Sequence, residues 1–183
     1  MREQGLIFSL QLAEGSVGYP AAIGLTCLVR LIENGLSCTV SARCTASTLV
    51  KVTQHNYYCL GPQGSLSDHQ MSLYVEDGYV VDAGRVATST CFGLEQGEFR
   101  PDSGAFVSDW LAAHRTRLAE IGGFDHYFYR SGSATVQSEP SLIGSLTFDG
   151  LTMSIWTDQP GAQVYTRFND KGTLEAICLE PQM

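Results

Sequence analysis

Charge is scarce in this 183-residue chain. Asp, Glu, Lys and Arg together make up 16% of it, below the roughly one quarter usual for globular domains. Its 11 basic residues form no cluster and the formal net charge is -8, which excludes the electrostatic footprint of a nucleic-acid binder. Long apolar runs are missing too. None approaches a membrane span. Met1-Arg2-Glu3-Gln4-Gly5 passes directly into an alternating pattern without the apolar stretch of a secretory signal, so no membrane partner is expected. Cys-x-x-Cys pairs are absent. The six cysteines, Cys27, Cys38, Cys44, Cys59, Cys91 and Cys178, fall mostly within strand-like patterns. That weakens zinc and thioredoxin-type readings and predicts reduced, buried thiols in a cytoplasmic protein. Neither an internal repeat nor a linker divides the chain, so a single domain over residues 1–183 is expected. An acidic, weakly charged surface suits a small neutral ligand.

What the chain has in quantity is a period of two. Phe8, Leu10 and Leu12 alternate with Ser9 and Gln11. Leu25, Cys27, Val29 and Leu31 make one face of the next run, and Leu36, Cys38, Val40 and Ala42 one face of the run after that. Asn34-Gly35 between them signals a hairpin. Alternation resumes at Met71, Leu73 and Val75, and strands are expected at 127–129, 134–137, 145–148, 151–157, 163–168 and 173–179. Asp149-Gly150 predicts a two-residue type I′ hairpin, and Asn169-Asp170-Lys171-Gly172 a further turn. Residues 83–106 are rich in Gly, Ser and Thr and predict a long loop with short strands. One short helix is expected near 108–121, capped by Ser108, with Trp110, Leu111, Leu118 and Ile121 at helical spacing and Gly122-Gly123 as the stop. Many short strands joined by Gly-containing turns predict an all-β sandwich or barrel.

Gln54-His55-Asn56-Tyr57-Tyr58-Cys59-Leu60 follows a β-rich run at 48–53 and precedes Gly61-Pro62. A histidine where a rigid strand gives way to a loop is well placed for general acid work, since imidazole titrates near pH ~6.5. The same stretch fits a half-buried histidine with a satisfied hydrogen bond. Asp125 fits a turn-capping residue after Gly122-Gly123, and Glu180, three residues from the end, a frayed surface carboxylate. Asp68-His69 and Asp125-His126 suggest metal ligands, but adjacent residues of a strand point to opposite faces. His69 and His114 read as structural or surface groups.

Gln54–Leu60 resembles the Gln-His-Asn-Tyr-Tyr-Asn-Leu motif of the aldose 1-epimerases, or galactose mutarotases, departing only at Cys59. Other stretches match the same family in its own order. Glu14-Gly15-Ser16-Val17-Gly18-Tyr19-Pro20 is similar to its Asp-Gly-x-x-Gly-Tyr-Pro turn, and Ser67-Asp68-His69 to its Leu-Asp-His. Asp77–Thr88 resembles its Asp-x-Tyr-x-x-Val-Asp-x-x-x-Ile-Pro-Thr-Gly stretch, with one residue fewer between Tyr79 and Val81-Asp82 and with Val86-Ala87-Thr88-Ser89 at its end. Gly123-Phe124-Asp125-His126-Tyr127-Phe128 resembles Gly-Tyr-Asp-His-Asn-Phe. Thr157-Asp158-Gln159-Pro160-Gly161-Ala162-Gln163-Val164-Tyr165-Thr166 is close to Thr-x-Gln-Pro-Gly-x-Gln-x-Tyr-Thr, and Ile177-Cys178-Leu179-Glu180-Pro181-Gln182 to Phe-Cys-Leu-Glu-Thr-Gln.

The resemblance implies an all-β, galactose mutarotase-like supersandwich, present here as a partial β-sandwich with one short helix. It also implies an isomerase that interconverts the α and β anomers of a hexose such as galactose or glucose. His55 falls on the family's general acid toward the ring oxygen and Glu180 on the general base toward the anomeric hydroxyl. Asp125 and Gln163 fall on groups that bind the sugar. Opening an aldose ring takes a proton from one oxygen while another is protonated, so an acid and a base must act together. No metal, nucleotide or redox cofactor is needed. The matches cover the middle portion of a longer enzyme, truncated at both ends, without the N-terminal arginine and second histidine that contact the sugar. Bare sheet edges then invite a homo-oligomer. The alternatives are a non-catalytic carbohydrate-binding relative, an inactive remnant, and a hexose-phosphate epimerase, the last opposed by the lack of basic clustering.

Overall fold

Strict alternation builds the first sheet. β1 (Gly5–Leu12), β2 (Ile23–Ile32) and β3 (Gly35–Cys44) pair antiparallel in that order. The register sets Phe8 against Cys27 and Cys27 against Val40. Because direct partners share a face, Leu6, Phe8, Leu10, Leu25, Val29, Cys38 and Val40 all lie on one side with Cys27. A 3-10 turn at Ser16–Gly18 joins β1 to β2. The β2–β3 turn is Glu33-Asn34, with Asn34 at φ 64 and Gly35 already opening β3, one residue earlier than the Asn-Gly signal suggests. In this computed structural model the described residues are 5–62, 65–93, 104–119, 122–130 and 136–183. The chain forms two compact units, Met1–Val52 and Thr53–Met183.

The second unit contains two antiparallel sheets. Its elements are β4 (Gln70–Leu73), β5 (Asp77–Val81), β6 (Ala87–Gly93), β7 (Ala105–Phe106), β8 (Asp125–Tyr129), β9 (Ser141–Phe148), β10 (Leu151–Thr157), β11 (Gly161–Phe168) and β12 (Leu174–Gln182). Strand order is β10-β9-β4-β7 in one sheet and β12-β11-β8-β5-β6 in the other. Met71 and Leu146 from the four-stranded sheet and Phe128, Val164, Ile177 and Leu179 from the five-stranded sheet belong to one core cluster. Each is at most 1% exposed, worth about 1.5–3 kcal/mol per side chain as apolar surface withdrawn from water. The all-β sandwich expected from the sequence is therefore the architecture of this unit. The Asp149-Gly150 turn has both residues at positive φ, 47 and 77, and joins β9 to β10 with Phe148 opposite Leu151, as a type I′ turn requires.

The helical segment lies where expected but carries a break: among the described residues it runs as α1 (Val107–Ala113) and α2 (Arg115–Leu118), interrupted at His114. Phe106, not Ser108, is the N-cap. Ser108 lies inside the first turn, where its hydroxyl donates to the Ser67 carbonyl at 3.0 Å. Trp110 and Leu118 do face the core, and the Gly122 N–H closes onto the Leu118 carbonyl at 2.8 Å, with Gly122 at φ 77. Ile121, residues 94–103 of the expected loop, the first four residues and residues 134–135 of an expected strand lie outside the described residues. The run at 48–53 is not a strand. It joins no ladder, and after β3 the chain next pairs at Tyr58, bridged to Ile177.

Candidate active site

Alternation along three neighbouring strands sends one set of side chains to the core and the other to the outer face of the five-stranded sheet. His126, Phe128, Val164, Ile177 and Leu179 go inward and are buried. The intervening residues, Asp125 and Tyr127 on β8, Gln163 and Tyr165 on β11, and Cys178 and Glu180 on β12, share the opposite face. The register aligns them in rungs: Tyr127, Gln163 and Glu180 form one, and Asp125, Tyr165 and Cys178 the next. Glu180 is not frayed. It sits within β12 and is 5% exposed.

His55 reaches this face from the irregular segment preceding Tyr58. Tyr58 exchanges two backbone hydrogen bonds with Ile177, at 2.8 and 3.1 Å, and the Thr53 hydroxyl donates to the Pro181 carbonyl at 2.9 Å. The segment is thereby tied to β12 on both sides of the histidine. The His55 ring packs near Tyr57 and Tyr165, with centroids 5.1 and 5.9 Å away. Its Nε2 lies 3.3 Å from Glu180 Oε1, and its Nδ1 3.5 Å from Cys178 Sγ. The histidine side chain is 52% exposed and the glutamate side chain 7%, so a water-facing imidazole stands over a buried carboxylate. Burial, reinforced by the Glu180 charge and only partly offset by Arg167, pushes the Cys178 thiol up to about 12.

One rung away, Gln163 Nε2 donates to Asp125 Oδ1 at 2.8 Å. Asp125 Oδ2 is 3.6 Å from Arg85 Nη1. Arg85 went unnoticed in the sequence, inside a stretch read as loop. It stands at φ 64 in a turn where Asp82 Oδ1 accepts from the Gly84 and Val86 N–H groups at 2.9 and 3.0 Å. A Gly-containing turn after an Asp is recognisable, but nothing local says where its arginine reaches. The four side chains singled out from sequence, His55, Glu180, Asp125 and Gln163, are thus brought to one surface, joined by Arg85, Cys178, Tyr57 and Tyr165.

The remaining histidines serve the scaffold. His69 Nε2 accepts from the Leu60 and Gly61 N–H groups at 3.0 and 3.2 Å, and the ring stacks on Phe148 with centroids 4.5 Å apart. Burial lowers its pKa despite Asp68. His126 points into the core and is lowered by burial, with Asp125 opposing and His114 adding to the shift. His114 is 5% exposed beside Trp110 and Phe124.

The open sheet face thus holds a buried carboxylate, an exposed imidazole and a carboxylate–amide pair side by side. The family model described as aldose 1-epimerase matches residues 1–183, and the chain belongs to that family. Galactose mutarotase of Sus scrofa is 30% identical over 196 residues, covering 97% of this chain and 54% of that protein. Aldose 1-epimerase of Escherichia coli K12 is 24% identical over 167 residues, covering 90% of this chain and 47% of that protein. The crystal structure of galactose 1-epimerase from Lactobacillus acidophilus superposes with a TM-score of 0.83 at 19% identity, over 98% of this chain and 54% of that one, which establishes the shared fold. The chain spans about half the length of the curated relatives it matches.

Proposed function

We propose that this chain interconverts the α and β anomers of a hexose such as galactose or glucose, with His55 as general acid and Glu180 as general base. The observation that carries the reading is their 3.3 Å separation on one sheet face beside Asp125 and Gln163. Ring opening requires a proton to leave the anomeric hydroxyl while another arrives at the ring oxygen. Both oxygens are bonded to the same carbon, so the acid and base must themselves be neighbours, and these two are. Glu180 takes the hydroxyl proton and protonated His55 delivers its own. Rotation about the C1–C2 bond follows, and the ring closes with the two roles exchanged. Neither step needs an electron carrier.

Asp125 and Gln163 serve as hydroxyl ligands in this reading. A carboxylate accepts strong hydrogen bonds from sugar hydroxyls, and the amide next to it offers both a donor and an acceptor. Arg85 and Gln163 hold the two Asp125 oxygens in place. The names of the relatives, galactose mutarotase and aldose 1-epimerase, support a hexose substrate.

Proton NMR of the anomeric signals tests this. With galactose at equilibrium, catalytic amounts of the chain should produce saturation transfer between the α and β H1 resonances. Transfer no faster than in buffer removes the proposal. The half-exposed state of His55 favours a second reading, sugar binding without turnover, which gives shifted amide resonances but no transfer.

We further propose a cytoplasmic location, supported by a buried thiol, Cys178, at the centre of the site. Homo-oligomer formation is also proposed. The three-stranded sheet ends on β1 and β3, and exposed strand edges recruit further strands. Sedimentation velocity across a concentration series measures it.

A further inference from the structure

Cys178 and Glu180 lie two residues apart on β12, so both side chains leave the strand on the same face. Both are buried, at 0% and 5% exposure, and the strand fixes their spacing. His55 covers them. One donor atom from each of the three residues can be chosen so that all lie within 4.8 Å of one another. The separations, to opposite nitrogens of the ring, are 3.5 Å from sulfur to His55 Nδ1 and 3.3 Å from His55 Nε2 to Glu180 Oε1. Four-coordinate zinc, with bonds of about 2.3 Å to sulfur and about 2.0–2.2 Å to nitrogen and oxygen, holds neighbouring donors about 3.3–3.6 Å apart.

We propose that His55, Cys178 and Glu180 bind zinc or a similarly thiophilic divalent cation, and that the bound cation inhibits the chain by occupying its acid and base. Soft thiolate with imidazole selects zinc over magnesium or calcium, which prefer all-oxygen sets. The ring must turn so that a single nitrogen faces the gap between sulfur and carboxylate. Its 52% exposure and its place on an irregular segment leave room for that movement. The same opening admits the ion and supplies water as the fourth ligand. Binding converts the thiol to a thiolate and releases its proton to solvent, and a protonated His55 gives up its ring proton as well before it can ligate. The resulting cation also compensates the buried charges of thiolate and carboxylate. Binding stands on these three donors alone. Inhibition rests on the reaction proposed above, because the lone pairs given to the metal are those needed to move protons.

Cobalt(II) makes the site visible. Equimolar Co2+ added to the reduced chain should produce a near-ultraviolet sulfur-to-cobalt charge-transfer band together with the intense visible bands of four-coordinate cobalt, and Zn2+ should erase both. Cys178→Ser, close to isosteric, should abolish the charge-transfer band and lower Zn2+ affinity at least about tenfold. His55→Ala, at a half-exposed position, should lower affinity comparably. Galactose should weaken Zn2+ binding if the sugar occupies the same face. Absence of the band, or its persistence in Cys178→Ser, overturns the site. A wild-type chain that shows the band without mutarotation leaves the site standing and removes the proposed function. Mutarotation unaffected by Zn2+ at saturation of the cobalt-detected site overturns the inhibition.

Discussion

Gln163 on β11 stands directly opposite Glu180 on β12 and, on its other side, opposite Tyr127 on β8. That single rung fixes how far the Glu180 carboxylate lies from the Asp125–Gln163 pair, because the side chains rise from paired strands whose spacing is set by backbone hydrogen bonds. A site placed this way does not depend on loop conformation except at His55 and Arg85. The proposed chemistry divides accordingly, with the base and both sugar ligands, Asp125 and Gln163, on the sheet and the acid on a tethered segment.

Replacing Glu180 with Gln keeps the shape and removes the basic oxygen. Mutarotation by the variant is expected to fall about 10²–10⁴-fold, the usual range for a lost general base, with an unchanged far-ultraviolet circular dichroism spectrum. A variant retaining more than a tenth of wild-type turnover excludes Glu180 as the base.

Asp125→Ala should affect both stability and binding. It leaves the half-buried Gln163 amide without the acceptor that holds it at 2.8 Å. Orphaning such a donor costs about 1–3 kcal/mol, readable as a lower urea midpoint. KM for galactose should rise more than kcat falls. By contrast Arg85→Ala, which removes a side chain 55% exposed, should change stability by less than about 1 kcal/mol.

Period-two patterning is enough to mark most of the strands, but the expected strands at 127–129 and 173–179 stop short of Asp125 and Glu180, and the face these share with Gln163 emerges only from the register. The family motifs single out His55, Glu180, Asp125 and Gln163. What local pattern does not carry are features set by non-local contact. The 48–53 run has strand-like composition but finds no ladder partner, and propensity cannot report that. The helix over 108–121 breaks at His114. Ser108, a good capping residue by type, is drawn instead to the Ser67 carbonyl. Arg85 and the thiol contact of Cys178 with His55 join residues 40 and 123 positions apart, separations over which no local pattern speaks.

Acid should loosen the fold through His69. Its neutral ring accepts two backbone hydrogen bonds and is 0% exposed, and burial holds its pKa below the ordinary 6.5. The unfolded chain therefore takes up a proton that the folded chain refuses. Stability is flat above about pH 6.5, declines as pH falls from there to the depressed folded value, and levels off below it, with a slope of at most about 1.4 kcal/mol per pH unit from this residue. Urea midpoints between pH 8 and 5 should show the decline, and His69→Gln should reduce it. His126, lowered by the same cause, accounts for part of what remains.

Gly161 lies where β11 passes β8. A Cβ there would strike the Phe128 carbonyl oxygen and the Tyr127 ring. Gly161→Ala must push the two strands apart, an overpacking cost of about 1–3 kcal/mol. It should also displace Gln163 two residues on. Thermal denaturation and the chemical shift of the Gln163 side-chain amide both check it.

The most direct measurement is the decay of optical rotation of freshly dissolved α-D-glucose, followed in parallel with the wild-type chain, His55→Ala, Glu180→Gln and buffer. Acceleration by the wild type that is lost in both variants is the predicted result. Rates indistinguishable from buffer for the folded wild type, or equal acceleration by wild type and both variants, would contradict the assignment of acid and base to this pair.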